Sequence, residues 1–372
     1  MIIRTNRRRN VAEFRQAPVI NPLQLGGIET AVLDDGPARG VRVANVSTGT
    51  GLRYKVVIDR GLDIADADLA GQSLTWLSLT GPKAPDPAYC RGMDWLSAFF
   101  GGLLVSCGPL NTGGPAHDAG KEWPLHGTHS HTPAENVSVR NPDPRAGEME
   151  MSISGRIRTS RFFGPNIDLQ RTITSRLGES VIRIEDVFTN QDDQPVEMAW
   201  LLHINFGYPL MEPGVSEFCY AGTVIPRADS TDWFAEGKPF RRVCKPLAEH
   251  KGNGEVFAYI DPAADRQGQV LCGIVNRRRK LALSITFNKK EFPRLGNWQH
   301  YGPRGAFVSA LEPMTGGVEG RDVDRRRGWL FRLRPGQQRR FGYQIAVSTD
   351  RTDLQRLLDL NSRPLRFGRL DR

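Results

Sequence analysis

From residue 148 the chain alternates with a period of two. Met149, Met151, Ile153 and Ile157 are interleaved with Glu148, Glu150, Ser152, Ser154 and Arg156. The pattern returns at Ile167, Leu169 and Ile173, and again at Ile182, Ile184 and Phe188. Successive side chains of a strand point to opposite faces, so these runs predict strands with one buried face. Further strands are predicted at residues 41–46, 54–58, 281–287 and 306–311, with a turn at Asp34-Asp35-Gly36. Residues 329–333 and 341–347, separated by Pro335-Gly336, read as a hairpin. Helical signals are few. A short helix is predicted over residues 91–100, closed by Gly101-Gly102. An amphipathic helix is predicted over residues 352–360, with a Thr352/Gln355 capping box and an apolar face of Leu354, Leu357 and Leu358. Many strands without crossover helices predict an all-β fold, a large antiparallel sandwich with few short helices.

Residues 200–213 form the stretch around which the rest is organised. Trp200, Leu202, Ile204 and Phe206 point one way on the predicted strand; Leu201, His203 and Asn205 point the other. Such a strand is a candidate wall for a polar ligand. The alternative is a core histidine whose hydrogen bonds are satisfied locally.

Composition narrows the classes. The chain has 372 residues, 39 Gly and 25 Pro, which suits many turns. A basic arm is expected over residues 1–25 and a single β-sandwich domain over residues 26–372. The net charge of +9 sits in clusters at residues 7–9, 277–280 and 325–327 and in the tail ending at Arg372. No helical or aromatic-interleaved motif accompanies them, so no nucleic-acid partner is expected. Five cysteines without a close CxxC pair predict reduced thiols in the cytoplasm. The first residues carry charge but no following apolar region, which argues against a secretory signal. No run approaches the ~20 apolar residues of a membrane span. Walker, nucleophile-elbow and dinucleotide fingerprints are absent, which disfavours nucleotide-dependent and serine-hydrolase chemistry.

Four constellations could carry chemistry. In residues 59–64, Asp59 and Asp63 flank Arg60, either as a local turn ion pair or as a rigid guanidinium for a ligand. His126, His129 and His131 fall within six positions after the glycine-rich residues 101–114. Their spacing is not that of a zinc helix, and no local Cys or carboxylate completes a tetrahedral set, so no metal is expected. His126 in its His-Gly corner suits a hydroxylated ligand. Glu312 ends an apolar strand before Pro313, which is expected to stop ladder pairing. It is either a rim carboxylate or a general base, and His203 on a facing sheet wall would complete an acid/base pair working near neutral pH. Trp298, followed by Gln299 and His300, could stack on a sugar ring or belong to the core.

Several ordered segments resemble the aldose 1-epimerase (galactose mutarotase-like) superfamily, closest to its bacterial DUF4432-type branch. They are DRGLDI (59–64), GGLLVSCGPLNTGG (101–114), LHGTHSHTPAENV (125–137), HINFGYPLM (203–211), FPRLGNWQ (292–299) and ALEPMT (310–315). The resemblance implies a β-supersandwich that binds a free sugar and opens its ring without cofactor or metal. It implies His203 as the acid and Glu312 as the base, with Arg60 and His126 as substrate-binding residues. Asp63, Asn205, Trp298 and Gln299 complete the expected sugar-binding set. The expected function is interconversion of sugar anomers; a non-catalytic carbohydrate-binding protein or another sugar isomerase on the same fold is the alternative. The expected partner is a small sugar, and a homodimer is left open.

Overall fold

The alternation of residues 150–190 folds into three ten-residue strands, Glu150–Thr159, Ile167–Arg176 and Val181–Asn190, paired antiparallel in sequence order. Ile153 stands beside Ile173, and Ile173 beside Ile184, so branched side chains line one buried face across the strands. The computed structural model describes residues 14–362 and 364–369. The basic cluster at residues 7–9 and Arg372 lie outside the described residues.

These strands belong to an eight-stranded antiparallel sheet. Its order is Ala134–Arg140, Glu150–Thr159, Ile167–Arg176, Val181–Asn190, Gln338–Ser348, Leu281–Asn288, Gln269–Asn276 and Ser216–Tyr220. A twelve-stranded sheet faces it. One half of that sheet runs Gly27–Val32, Arg42–Ser47, Leu52–Val57, Asp63–Leu69 and Leu104–Cys107, with Gln72–Ser73 beside Asp63–Leu69. It continues with Leu201–Phe206, Phe307–Met314, Arg294–Tyr301, Val256–Pro262, Gly222–Pro226 and Arg366–Phe367.

The strand Leu201–Phe206 lies mid-sheet and is buried at every position. Leu202, Ile204 and Phe206 join Ile153, Ile173, Ile184 and Ile345 in the core between the sheets. Burying each such side chain contributes roughly 1.5–3 kcal/mol. Leu201 faces the other way, into a smaller apolar layer with Val105, Phe257 and Met314. Trp95, Phe99 and Phe100, from the loop-rich stretch before residue 101, cover that layer. The sheet therefore has one face locked into the core and one face roofed by a loop.

A buried charge cluster ties the sheets together. Arg171, fully buried, donates to both carboxylate oxygens of Asp186 at 2.7 and 2.9 Å, to Asp63 at 2.9 Å and to the Ser106 hydroxyl at 2.9 Å. Asp63 also accepts from the Ser106 N–H at 3.0 Å.

Some expectations change. Phe331–Leu333 does not pair with Gln338–Ser348; it pairs with Val196–Met198. Asn190 explains this, because its side chain donates to the Leu333 carbonyl and pulls the chain aside before the turn. Within the predicted helix at residues 91–100 only one 3-10 turn forms, Asp94–Ala98; a second, Pro87–Cys90, precedes it, and Gly92 at positive φ separates the two. The last α-helix is Arg351–Leu358, and its cap is Asp350, which accepts from the Thr352 N–H, rather than a Thr352/Gln355 box. Phe14, within the expected arm, is buried in the main core.

Candidate active site

His203 and Glu312 meet because of strand register. Leu201 pairs with Met314 and Ile204 with Leu311, which sets His203 opposite Glu312 on the roofed face. His203 Nε2 lies 3.3 Å from Glu312 Oε1, and both side chains are almost fully buried. They are cross-strand neighbours on one sheet, not residues of facing walls as the sequence suggested. Pro313 does not end its strand, which continues to Met314 and pairs Pro313 with Leu295 on its other side. On the His203 side the pairing skips opposite Pro313, which has no N–H to give.

A cavity of about 470 Å3 opens over this pair. Trp76, Trp95, Phe99, Phe257 and Trp298 supply aromatic walls. The His203 ring meets Phe99 and Trp298 edge-on, both at 5.4 Å between centroids, and His126 at 5.8 Å. The remaining polar side chains of the wall are Arg227, Asn253, Glu255 and His300.

The glycine-rich segment seats His126. Residues 126 and 127 both take positive φ, 56° and 73°. The His126 N–H donates to the Gly113 carbonyl at 2.8 Å, and the Gly108 N–H donates to the His126 carbonyl at 2.9 Å. A Cβ at Gly127 would come within 2.5 Å of the Gly108 carbonyl oxygen, so no larger residue fits that close approach. The Gly113 N–H donates to His126 Nδ1 at 3.3 Å, which leaves the ring proton on Nε2. Burial, reinforced by His203, holds the His126 pKa down to about 3, so the ring is a neutral donor.

Burial also pushes the two facing groups toward their neutral forms. It lowers His203 to about 4. It raises Glu312 to about 8, with Glu255 adding to the rise and Arg227 opposing it. Between those values the pair carries a single proton, resting on Glu312.

Of the residues expected in the site, His203, Glu312, His126 and Trp298 line the cavity, and four do not. Arg60, 1% exposed, spends its donors on the backbone carbonyls of Ser130, Lys83 and Ala98 and so braces the roof. Asp63 is taken up by Arg171 and Ser106. Asn205 donates to the carbonyls of His203 and Gly101 at 3.1 and 3.4 Å. Gln299 points away from its neighbour Trp298 and donates to the Phe240 carbonyl at 2.7 Å. His129 lies behind the wall, with Nε2 3.1 Å from the Gly61 carbonyl, and His131 packs on Tyr89. Among the described residues no group of three or more His, Cys, Asp or Glu is placed to hold a metal.

Arg227, Glu255, Trp95 and Phe99 line the cavity without having been singled out from the sequence. The only signal was the long loop-rich stretch that carries Trp95 and Phe99. A larger groove of about 990 Å3 lies elsewhere, beside Phe162, Phe163 and Arg325. Its Asp118 is committed to Arg321 and Arg325, and it holds no acid/base pair comparable to His203 and Glu312.

Residues 38–347 match the family described as domain of unknown function DUF4432. No curated protein matches the chain. Among solved structures, the chain is similar to an aldose 1-epimerase candidate from Klebsiella pneumoniae subsp. pneumoniae, at 24% identity and TM-score 0.82, covering 93% of this chain and 91% of that one. It is similar at 12% identity and TM-score 0.60 to a galactose mutarotase-like protein from Clostridium acetobutylicum, covering 87% and 99%. A galactose 1-epimerase from Lactobacillus acidophilus aligns at 10% identity and TM-score 0.53, covering 86% and 98%. The two packed sheets, with their roofed cavity, are thus a galactose mutarotase-like fold, and the chain belongs to the DUF4432 family.

Proposed function

We propose that the protein interconverts the α and β anomers of a free aldose, as an aldose 1-epimerase. The observation that carries this is the His203–Glu312 contact of 3.3 Å at the floor of an aromatic cavity, with one proton between the two groups. Anomer exchange needs that proton inventory. One group gives a proton to the ring oxygen while the other takes the proton of the anomeric hydroxyl. The C1–ring-oxygen bond breaks and the C1 carbonyl forms. Rotation about C1–C2 presents the other carbonyl face, and closure returns both protons by the reverse route. The pair holds one proton before opening, after it and after closure, so no outside acid or base is consumed.

The expected assignment has His203 as acid and Glu312 as base. The proton rests on Glu312, and its transfer across the 3.3 Å contact generates the imidazolium and carboxylate that this assignment requires. His126 Nε2–H is a neutral donor for a sugar hydroxyl, and the aromatic walls suit the C–H faces of a sugar ring. The names of the similar proteins from Klebsiella pneumoniae and Lactobacillus acidophilus support the same reading.

Polarimetry on freshly dissolved α-aldoses tests it. The protein is expected to speed the approach to the equilibrium rotation for at least one aldose. A panel of common aldoses that all equilibrate at the buffer rate would contradict it.

A further inference from the structure

Arg227 is the one Lys or Arg among the described residues that line the cavity. Its guanidinium is already engaged. Nε donates to Asp229 Oδ1 at 2.7 Å and Nη2 to Glu255 Oε1 at 2.5 Å. Glu255 turns its second oxygen to Trp298, whose Nε1 donates to Oε2 at 2.6 Å. Trp298 in turn stands edge-on to His203. The Arg227 guanidinium lies 5.3 Å from the centre of the Phe257 ring, so the pair is seated against the aromatic wall. The Arg227 and Glu255 side chains are 16% and 33% exposed, partway between cavity and solvent.

We propose that Glu255 determines substrate charge: by occupying Arg227 and placing its own carboxylate in the wall, it restricts the site to uncharged aldoses and excludes those bearing a carboxylate or phosphate. This deepens the anomerase reading and rests on it. The charge balance of the wall is the reason. One guanidinium faces two carboxylates, Glu255 within the cavity wall and Asp229, largely exposed, outside it. Glu312 adds no positive charge in either protonation state. An anionic sugar therefore meets no unpaired cation here and is repelled by Glu255. An uncharged ring loses nothing to this field and finds Trp298 already fixed for stacking.

Glu255→Gln removes the charge and releases Arg227, because its amide oxygen can still accept from Trp298 while its NH2 cannot accept from Arg227. The experiment is exchange NMR on the full chain with matched probes: galactose and galacturonate, glucose and glucuronate, and glucose 6-phosphate. Wild type is expected to accelerate an uncharged member and not its anionic counterpart. In Glu255→Gln the rate ratio of anionic to uncharged sugar is expected to rise about tenfold or more. The upper limb of the pH profile should move to lower pH, because Glu255 helps hold the proton on Glu312. Glu255→Gln/Arg227→Gln should lose the gain in ratio. Equal wild-type rates on a uronate and its parent sugar would overturn the proposal, as would a Glu255→Gln variant with ratio and pH profile unchanged. If no sugar is accelerated, the anomerase reading itself fails. Saturation-transfer binding of the same panel then still reads the charge preference: uncharged sugars alone binding supports it, and anionic sugars binding equally well overturns it.

Discussion

Glu312 and His203 are polar groups that ordinary packing would leave out of a sheet interior. Burial holds each in its neutral form, which in the proposed reaction keeps one proton available to the two oxygens of the ring. The rate should therefore follow a bell. Below about pH 4 both groups are protonated and no base remains; above about pH 8 both have lost their proton and no acid remains. A profile of kcat/KM against pH measures this, and a flat profile from pH 4 to 9 would contradict it. The same burial has a stability consequence. The folded chain keeps the Glu312 proton up to about pH 8, whereas an unfolded carboxyl releases it near 4.5. Folding thus binds an extra proton in that window, and the Glu312 contribution to stability falls as pH rises through it. Glu312→Gln removes that loss. Its Tm is expected to exceed that of wild type at pH 8, with the gap shrinking toward pH 4.5. A gap that widens on acidification would contradict this account of the buried carboxyl.

Among the elements, the Leu201–Phe206 strand shows what a sequence reveals and what it conceals. Its alternation separates Leu202, Ile204 and Phe206, which enter the core, from His203, which enters the cavity. That sorting needs only the two-residue period of a strand. The partner of His203 comes from a strand more than a hundred residues away, and its register depends on the whole sheet. The resemblance paired His203 with Glu312, while the sequence pattern, which carries no register, set them on facing walls instead of one shared face. Arg60 was misplaced for a related reason: its acceptors are backbone carbonyls at residues 83, 98 and 130, which carry no sequence signature. Arg227 and Glu255 stand beside a proline and a glycine, where charges ordinarily mark a solvated rim. Asp63 offers a test of the revised placement. Its ion pair with Arg171 is fully buried and joins the two sheets. Asp63→Ala is expected to lower unfolding stability by about 3–5 kcal/mol, read by chemical denaturation. The KM of the molecules that remain folded should be nearly unchanged. A large rise in KM with normal stability would return Asp63 to the candidate site.

For the whole molecule, the division of labour lies between the two faces of the twelve-stranded sheet. The inner face packs on the eight-stranded sheet through apolar rows and the Arg171 cluster, which fixes the backbone beneath the site. The outer face is free of that task, and the loop carrying Trp95 and Phe99 roofs it into a cavity. A floor fixed from below and a roof braced by Arg60 suit acid/base chemistry, which tolerates little displacement of its groups. Membership of the DUF4432 family and the mutarotase-like fold leave the reaction to be argued from the site. Among the described residues no helix is long and apolar enough to cross a membrane.

In the proposed reaction His203 and Glu312 act as one proton-sharing unit on a free sugar. Exchange NMR on the aldose that polarimetry identifies, with His203→Gln, Glu312→Gln and the double variant, tests it most directly. Each single variant is expected to lose about 10²–10⁴-fold in anomer exchange, with circular dichroism unchanged. The double variant should lose no more than the worse single, as members of one unit do. Full exchange rates in either folded single variant, or losses that multiply in the double, would contradict the account.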